Sequence, residues 1–160
     1  MKFKRESQYG LTGMAILAQQ PAGTVMGLEE IAAVQKLPRV FLAKIFPKLV
    51  SHGLVKSFRG AVRGYTLVKT PEEITVKEIL EAIEGPDVSE RCFFGETRCD
   101  VTNPCPLHCR WREVRTVIAD LLERTTLKEL AEVGHIQTAS DGFTDAVTSC
   151  ETAERPKRKG

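Results

Sequence analysis

Four of the five cysteines lie within residues 89–111, a polar stretch rich in Pro and Gly. They are spaced Cys92-x6-Cys99-x5-Cys105, and His108 and Cys109 follow after two further residues. Thiolates and imidazole are the ligands that zinc and iron-sulfur clusters prefer. Cysteines that serve only as small packing residues are expected in apolar segments, not in a loop of this composition. We therefore predict a metal centre in this loop.

The spacing of the cysteines bears on the kind of metal. Structural zinc sites usually contain two close Cys pairs of the C-x2-4-C type, and here only Cys105 and Cys109 have that spacing. The wider gaps suit a loop that surrounds a larger group, which favours an iron-sulfur cluster that Phe93 and Phe94 could shield from water. Zinc, redox-active thiols and inert thiols stay alternatives. The isolated Cys150 is expected to bind nothing.

Disulfides are not expected, because the chain opens MKFKRESQYG without an apolar signal segment, which indicates a reducing, cytoplasmic location. No apolar run approaches the ~20 residues that a membrane span requires. The net charge of +2 is unevenly distributed, since residues 1–70 contain 11 Lys or Arg against three Glu. This basic first half indicates a polyanionic partner, with DNA favoured over an ordinary solvated basic face.

The first half of the chain predicts a helix-turn-helix. Apolar periodicity predicts helices over residues 5–19, 28–35 and 38–52, where Pro47 should kink or shorten the third. Gly10 and Gly13 each cost a helix about 1 kcal/mol relative to Ala, so close packing should compensate. The second helix of such a motif enters the DNA major groove. Its candidate DNA-contacting residues, off the apolar stripe, are Arg39, Val40, Ala43, Lys44 and Lys48.

A basic hairpin is predicted next, with strands over residues 54–58 and 65–69 around a polar turn. Arg59 and Arg63 in this turn could contact a phosphate strand or enter a minor groove. A plain surface hairpin would leave these two arginines unexplained. We interpret the hairpin as the wing of a winged helix-turn-helix domain.

The second half predicts three features. A capping box at Thr75 and Glu78 starts a helix that ends at Gly85. After the cysteine loop, a long helix repeats apolar residues on one face, and a short last helix follows the capping box at Thr126. That face is expected to form a dimer interface, with packing inside the monomer as the alternative. Its members are Trp111, Val114, Val117, Ile118, Leu121 and Leu122.

The expected fold is mainly α with a small β-hairpin wing, as a winged helix-turn-helix followed by a long C-terminal dimerisation helix. Residues 1–86 would bind DNA and residues 87–109 would bind the cluster. Residues 110–136 would form the dimerisation helix and the short last helix, and residues 137–160 a disordered tail.

Several segments together resemble the Rrf-type winged-helix transcription regulators. They are MKFKRESQYGL, LEEIA, FLAKIFPKLVSHGLVKSFRG, GYTL, EEITVKEILEAIEGP and the cysteine loop. The resemblance implies a homodimer, not an enzyme, that binds promoter DNA and holds one cluster per subunit. Cluster state would control repression or dual regulation of genes for iron-sulfur assembly, iron and sulfur metabolism, or redox and nitrosative stress. The alternative is a zinc-binding or cluster-free thiol-sensing regulator, and a small electron carrier has less support.

The resemblance also implies a ligand set. Cys92, Cys99 and Cys105 match the family's cysteine ligands, although the first gap is one residue longer than in many IscR-like members. IscR-like proteins add a His at the position of His108, whereas NsrR-like proteins use an acidic residue of the partner's first helix, where this chain has Gln8. The set implies a 2Fe-2S cluster, with 4Fe-4S as the alternative. Helical projection supports His108 over Cys109, which points nearly opposite to the apolar face.

Two departures from the family pattern concern DNA recognition. The family's Gly-Gly-Tyr in the wing is here Arg63, Gly64 and Tyr65. Pro38, Val40 and Ala43 stand where IscR-like proteins have polar side chains in the recognition helix. The operator sequence therefore cannot be carried over from the family.

Overall fold

The computed structural model describes residues 3–60, 62–86, 88–95, 98, 101–102 and 104–133. The elements of this part follow in chain order: α1 (Arg5–Ala18), α2 (Leu28–Val34), α3 (Arg39–Ser51), β1 (Val55–Phe58), β2 (Gly64–Leu67), α4 (Val76–Glu84), α5 (His108–Arg124) and α6 (Leu127–Glu132). The predicted mainly helical fold with an antiparallel hairpin is confirmed. The predictions for the tail and for Cys150 fall outside the described residues.

Helix α1 packs against α3 and α4 at its two glycines. A Cβ atom on Gly10 would lie 2.2 Å from Cδ1 of Ile83, and one on Gly13 would lie 3.2 Å from Cε2 of Phe46. These approaches bring the helix backbones close together around fully buried side chains such as Ile45 and Phe46. The expected compensation for two helix glycines is thus confirmed as close packing.

The recognition helix α3 has one proline at its start and one inside it. Pro38 precedes the helix as its N-cap residue, and Pro47 lies inside it while the helix continues to Ser51. The prediction was that Pro47 would kink or shorten α3, and the helix is not shortened. Pro47 has no N–H to donate to the carbonyl of Ala43, but both residues are exposed, so water can satisfy that carbonyl.

The wing is a two-stranded antiparallel hairpin in which Val55 pairs with Leu67 and Phe58 with Gly64. Its base is fixed to the segment before α2, because Met26 and Tyr65 exchange backbone hydrogen bonds of 3.0 and 2.8 Å. A Cβ atom on Gly64 would lie 2.5 Å from the Met26 carbonyl oxygen, so this position requires glycine. The wing therefore has a fixed base beneath its basic turn.

The predicted capping boxes locate the starts of α4 and α6. Thr75 Oγ1 accepts a hydrogen bond from Glu78 N at 3.2 Å, and Glu78 Oε2 accepts one from Thr75 N at 2.9 Å. At the start of α6, Thr126 Oγ1 accepts from Glu129 N at 3.3 Å. The Val76 and Leu127 amides donate to the carbonyls of Thr125 and Ile74, which joins the two helix starts.

The apolar face predicted for the long helix is divided in the structure. Trp111 and Leu122 are each 8% exposed and pack inside the protomer, where Leu122 joins a cluster with Val76, Leu80 and Val88. Three other members remain exposed: Val114 at 46%, Val117 at 70% and Leu121 at 61%. We call these three residues the apolar strip of α5. Among the described helices, none is long and apolar enough to cross a membrane.

Candidate DNA interface and metal-ligand loop

A cleft of about 590 Å³ separates the base of the wing from the start of the helix-turn-helix. Arg39 from α3 lines one side of it, and Arg59 and Arg63 from the wing line the other. Arg59 and Arg63 are exposed and form no ion pair with another described residue. Three guanidinium groups that converge on one open cleft suit a polyanionic backbone.

Arg39 already has an acidic neighbour. Its Nε lies 2.7 Å from Oε1 of Glu29 on α2, and the two side chains are 62% and 76% exposed. An exposed pair of this kind contributes less than about 1 kcal/mol, so a DNA phosphate could replace the carboxylate. If Arg39 contacts DNA, Glu29 would compete with the phosphate for its guanidinium.

The other predicted recognition residues divide into two groups. Val40, Ala43 and Lys44 are exposed on α3, with Val40 at 69%. Lys48 points instead toward α1 and α4: its Nζ donates to the Ile83 carbonyl at 3.0 Å and lies 3.6 Å from Glu6 Oε2. These contacts join the end of the recognition helix to the end of α4.

The segment that carries Cys92 is held against α5 by Trp111. The indole Nε1 of Trp111 donates to the Arg91 carbonyl at 2.9 Å, and the Phe93 ring centroid lies 5.4 Å from that of Trp111. Arg91 also forms an antiparallel bridge with Arg98. Arg91 and Arg98, the residues before Cys92 and Cys99, are thus paired, and Arg91 is hydrogen-bonded to Trp111 of α5.

His108 begins α5 on the same side as Trp111, because residues three apart are neighbours on a helix surface. Its side chain is buried, and its backbone N–H donates to the Cys105 backbone carbonyl at 2.9 Å. Cys105 and His108 line one cleft of about 450 Å³. Cys109, also in its lining, is exposed, whereas Cys92 and Cys105 are half-buried.

The four predicted ligands are not all described. Cys99 lies outside the described residues, and among those described no group of three or more Cys, His, Asp or Glu could hold an ion. The ligand set Cys92, Cys99, Cys105 and His108 therefore stays a prediction. The donor types fit an iron-sulfur cluster or zinc, since they combine thiolates with one imidazole.

Sequence reasoning missed Glu84, the last residue of α4. Its side chain is fully buried, forms an ion pair with Arg91 and accepts a hydrogen bond from Ser7 Oγ. Burial raises the pKa of Glu84, but the hydrogen bonds from Ser7 and Arg91 outweigh it and hold the pKa below its usual value. A glutamate before Gly85 resembles an ordinary helix end, so no local signal identified it.

The sequence profile of the Rrf2 family, described as an iron-dependent transcriptional regulator, matches residues 3–133. The chain belongs to the Rrf2 family. As an Rrf2 protein it is a DNA-binding transcription regulator, and its relatives are named as regulators, not enzymes.

Individual relatives agree with this assignment. A putative HTH-type transcriptional regulator of Aquifex aeolicus is 35% identical over 83% of this chain and 93% of its own length. CymR of Bacillus subtilis, called the global cysteine regulator, is similar in structure with a TM-score of 0.69 and 31% identity, over 83% of this chain and 98% of that one. The T. potens IscR structure has a TM-score of 0.65 and 26% identity, over 91% and 94% of the two chains.

Proposed function

We propose that this Rrf2 protein is a homodimeric regulator whose promoter binding depends on the state of an iron-sulfur cluster. The observation that carries the proposal is the contact of Arg91 with both Arg98 and Trp111. Arg91 and Arg98 directly precede Cys92 and Cys99, two of the predicted ligands. The contact brings them to the side of α5 where His108 begins the helix. The regulated genes would concern iron-sulfur assembly, iron and sulfur metabolism, or redox and nitrosative stress.

Cys92, Cys99, Cys105 and His108 would hold the cluster, most simply a 2Fe-2S cluster in each subunit. When bound, the cluster would supply a centre whose charge and integrity respond to redox conditions. The protein's part is to present three thiolates from a loop fixed on Trp111 and an imidazole from the start of α5. Phe93 and Phe94 lie edge to face at 5.1 Å between centroids beside this contact and would cover the site.

Arg91 provides a physical link from the cysteine loop to the DNA-binding helices. It pairs with Glu84, which follows Ile83, and the carbonyl of Ile83 accepts a hydrogen bond from Lys48 of α3. A change in the loop next to Cys92 would therefore reach both α1 and the recognition helix. Variants along this path test the coupling.

DNA binding would use the exposed side of α3 and the wing. Arg39, Val40, Ala43 and Lys44 would face the major groove, while Arg59 and Arg63 would contact phosphates or a minor groove. Lys48 is occupied by Ile83 and Glu6, so we assign it to positioning α3.

The homodimer would form through the apolar strip of α5. Three large apolar side chains on one exposed face are unusual for a monomer, and burying them against a second copy would be favourable. Trp111, Ile118 and Leu122, predicted for the same interface, instead support α5 from inside the protomer.

The test is anaerobic purification of the full chain, followed by iron, zinc and acid-labile sulfide analysis and a visible spectrum. We expect about two iron and two sulfide per subunit, and a promoter affinity that changes when the cluster is removed. One zinc per subunit without sulfide would support the zinc alternative and contradict the proposal.

A cluster-free thiol sensor is the second candidate, and one observation favours it. The chain is similar to CymR, which is called a cysteine regulator, and Cys109 is an exposed thiol beside Cys105. Protein without iron or sulfide whose DNA binding changes reversibly with a thiol oxidant would identify this function.

A further inference from the structure

A third cleft, distinct from the two described above, lies between α4, α5 and the parts of the chain around Glu90 and Arg98. Its volume is about 400 Å³, within the range of small-molecule sites. The lining contains four cations from three parts of the chain: Lys77, Arg98, Arg112 and Arg115. Glu90 is the one acidic residue among the lining residues described.

Two of these cations are already neutralised by acids. Arg98 Nε lies 2.6 Å from Glu90 Oε2, and Lys77 Nζ lies 3.3 Å from Glu123 Oε2. Arg112 and Arg115 form no ion pair with any residue that the structure describes. The cleft therefore has an excess of two guanidinium charges on adjacent turns of α5.

The hydrogen bonding of Arg115 is incomplete. Its Nη1 donates to the Glu90 carbonyl at 2.8 Å, but its Nε is enclosed and has no hydrogen-bond partner. An enclosed donor without an acceptor is costly, so this guanidinium keeps unused hydrogen-bonding capacity. The buried Ser89 contributes a hydroxyl to the same lining.

We infer that this cleft binds a small oxyanion, either inorganic phosphate or sulfate or the phosphate, sulfate or carboxylate group of a metabolite. Guanidinium groups bind such oxygens through paired N–H donors. At about 100° per residue, Arg112, Arg115 and Thr116 lie about 100° to 160° around α5 from Val117, so dimerisation through the apolar strip leaves the cleft open. The site requires no cluster, so its test is independent of the proposed function.

The experiment is calorimetric titration of the DNA-free full chain with inorganic phosphate, and separately with sulfate, at an ionic strength held constant with sodium chloride. We expect saturable binding of one anion per chain. Arg112→Gln with Arg115→Gln should weaken it at least tenfold. The control Arg5→Gln with Arg124→Gln removes the same charge from exposed positions outside the cleft and should bind as the parent does.

Arg115→Lys separates charge from hydrogen-bond geometry at that residue, since it keeps the charge but removes the paired N–H donors of the guanidinium. It should weaken anion binding while circular dichroism and unfolding temperature stay close to the parent's. Heat without saturation, or an equal loss in the control pair, would overturn the inference. So would a cleft double variant that loses DNA affinity but keeps its phosphate affinity, because the cleft would then belong to the DNA footprint.

Discussion

The Glu84 carboxylate and the Arg91 guanidinium form an ion pair inside the protomer, where the two side chains are 0% and 11% exposed. Arg91 Nη2 also donates to the Glu84 carbonyl at 3.0 Å, and the Lys4 amide donates to Glu84 Oε1 at 2.8 Å. One carboxylate thus joins the start of α1, the end of α4 and the residue before Cys92. Removing one partner of such a pair leaves a buried group uncompensated.

Glu84→Gln should therefore lower the free energy of unfolding by about 3 kcal/mol at neutral pH. The folded-state pKa of Glu84 is lowered, so its contribution to stability is present above the unfolded pKa and is lost as pH falls through the lower, folded pKa. Urea unfolding of parent and variant across pH 3 to 7 tests this. The difference in unfolding free energy between parent and variant should become smaller as the pH falls. Glu113→Gln, at an exposed site, should change the unfolding free energy little. A difference independent of pH would contradict the assignment.

Local signals in the sequence located most of the fold. The capping residue Thr75 marked the start of α4, and the apolar stripe of α3 identified its buried face. The sequence did not show that α3 continues past Pro47, because this depends on whether the orphaned carbonyl reaches water, which is a property of the packed helix. A sequence pattern covers only a few neighbouring residues. It therefore predicts a structural feature correctly when that feature depends only on those residues.

Tertiary contacts explain what the sequence did not show. The periodicity of α5 groups Val117 with Trp111, but only the position of the cysteine loop decides which of them is covered. Glu84 is buried because α1 and Arg91 converge on it from distant parts of the chain. No spacing rule contains that information.

Glu29→Gln should strengthen DNA binding, because it releases Arg39 from an exposed ion pair and removes a negative charge from the cleft. We expect a gain of a few-fold in affinity, the size of one exposed pair. Fluorescence anisotropy with a promoter fragment provides the measurement. In the background of Arg39→Gln the gain should be smaller, and an equal gain there would show that Glu29 acts on DNA without Arg39.

Arg59→Ala with Arg63→Ala should weaken DNA binding and reduce its salt dependence. Each lost phosphate contact should lower the slope of log affinity against log salt by about 1. The folded state should be unaffected, since both side chains are exposed in the wing turn. Arg5→Ala with Arg124→Ala removes equal charge elsewhere and serves as the control. An unchanged slope in the wing variant would refute the phosphate contacts.

Val117→Glu should convert the dimer to a monomer, because it would place a charge in the centre of the apolar strip at a cost of several kcal/mol. Sedimentation velocity measures the outcome directly. Val68→Glu makes the same change at another exposed valine, 56% accessible, and should leave the association state unchanged. If Val117→Glu sediments as the parent does, the dimer interface lies elsewhere.

The predicted fourth ligand is tested by comparing His108 with Cys109. Cys→Ser changes at 92, 99 or 105 should each abolish or severely impair cluster assembly, because thiolates bind iron more strongly than imidazole or hydroxyl. His108→Ala should leave a weakened cluster with an altered spectrum and faster loss. Its promoter occupancy in the cluster-bound form should fall.

Cys109→Ser is the matched control, since Cys109 adjoins His108 at the start of α5 but is exposed where His108 is buried. We expect this variant to keep the parental spectrum and the parental rate of cluster loss in air. Circular dichroism of both variants checks that α5 still begins normally. If Cys109→Ser loses the cluster while His108→Ala keeps the parental spectrum and stability, the cluster is held by cysteines alone. The contact of Trp111 with Arg91 would then position the loop for a different fourth ligand.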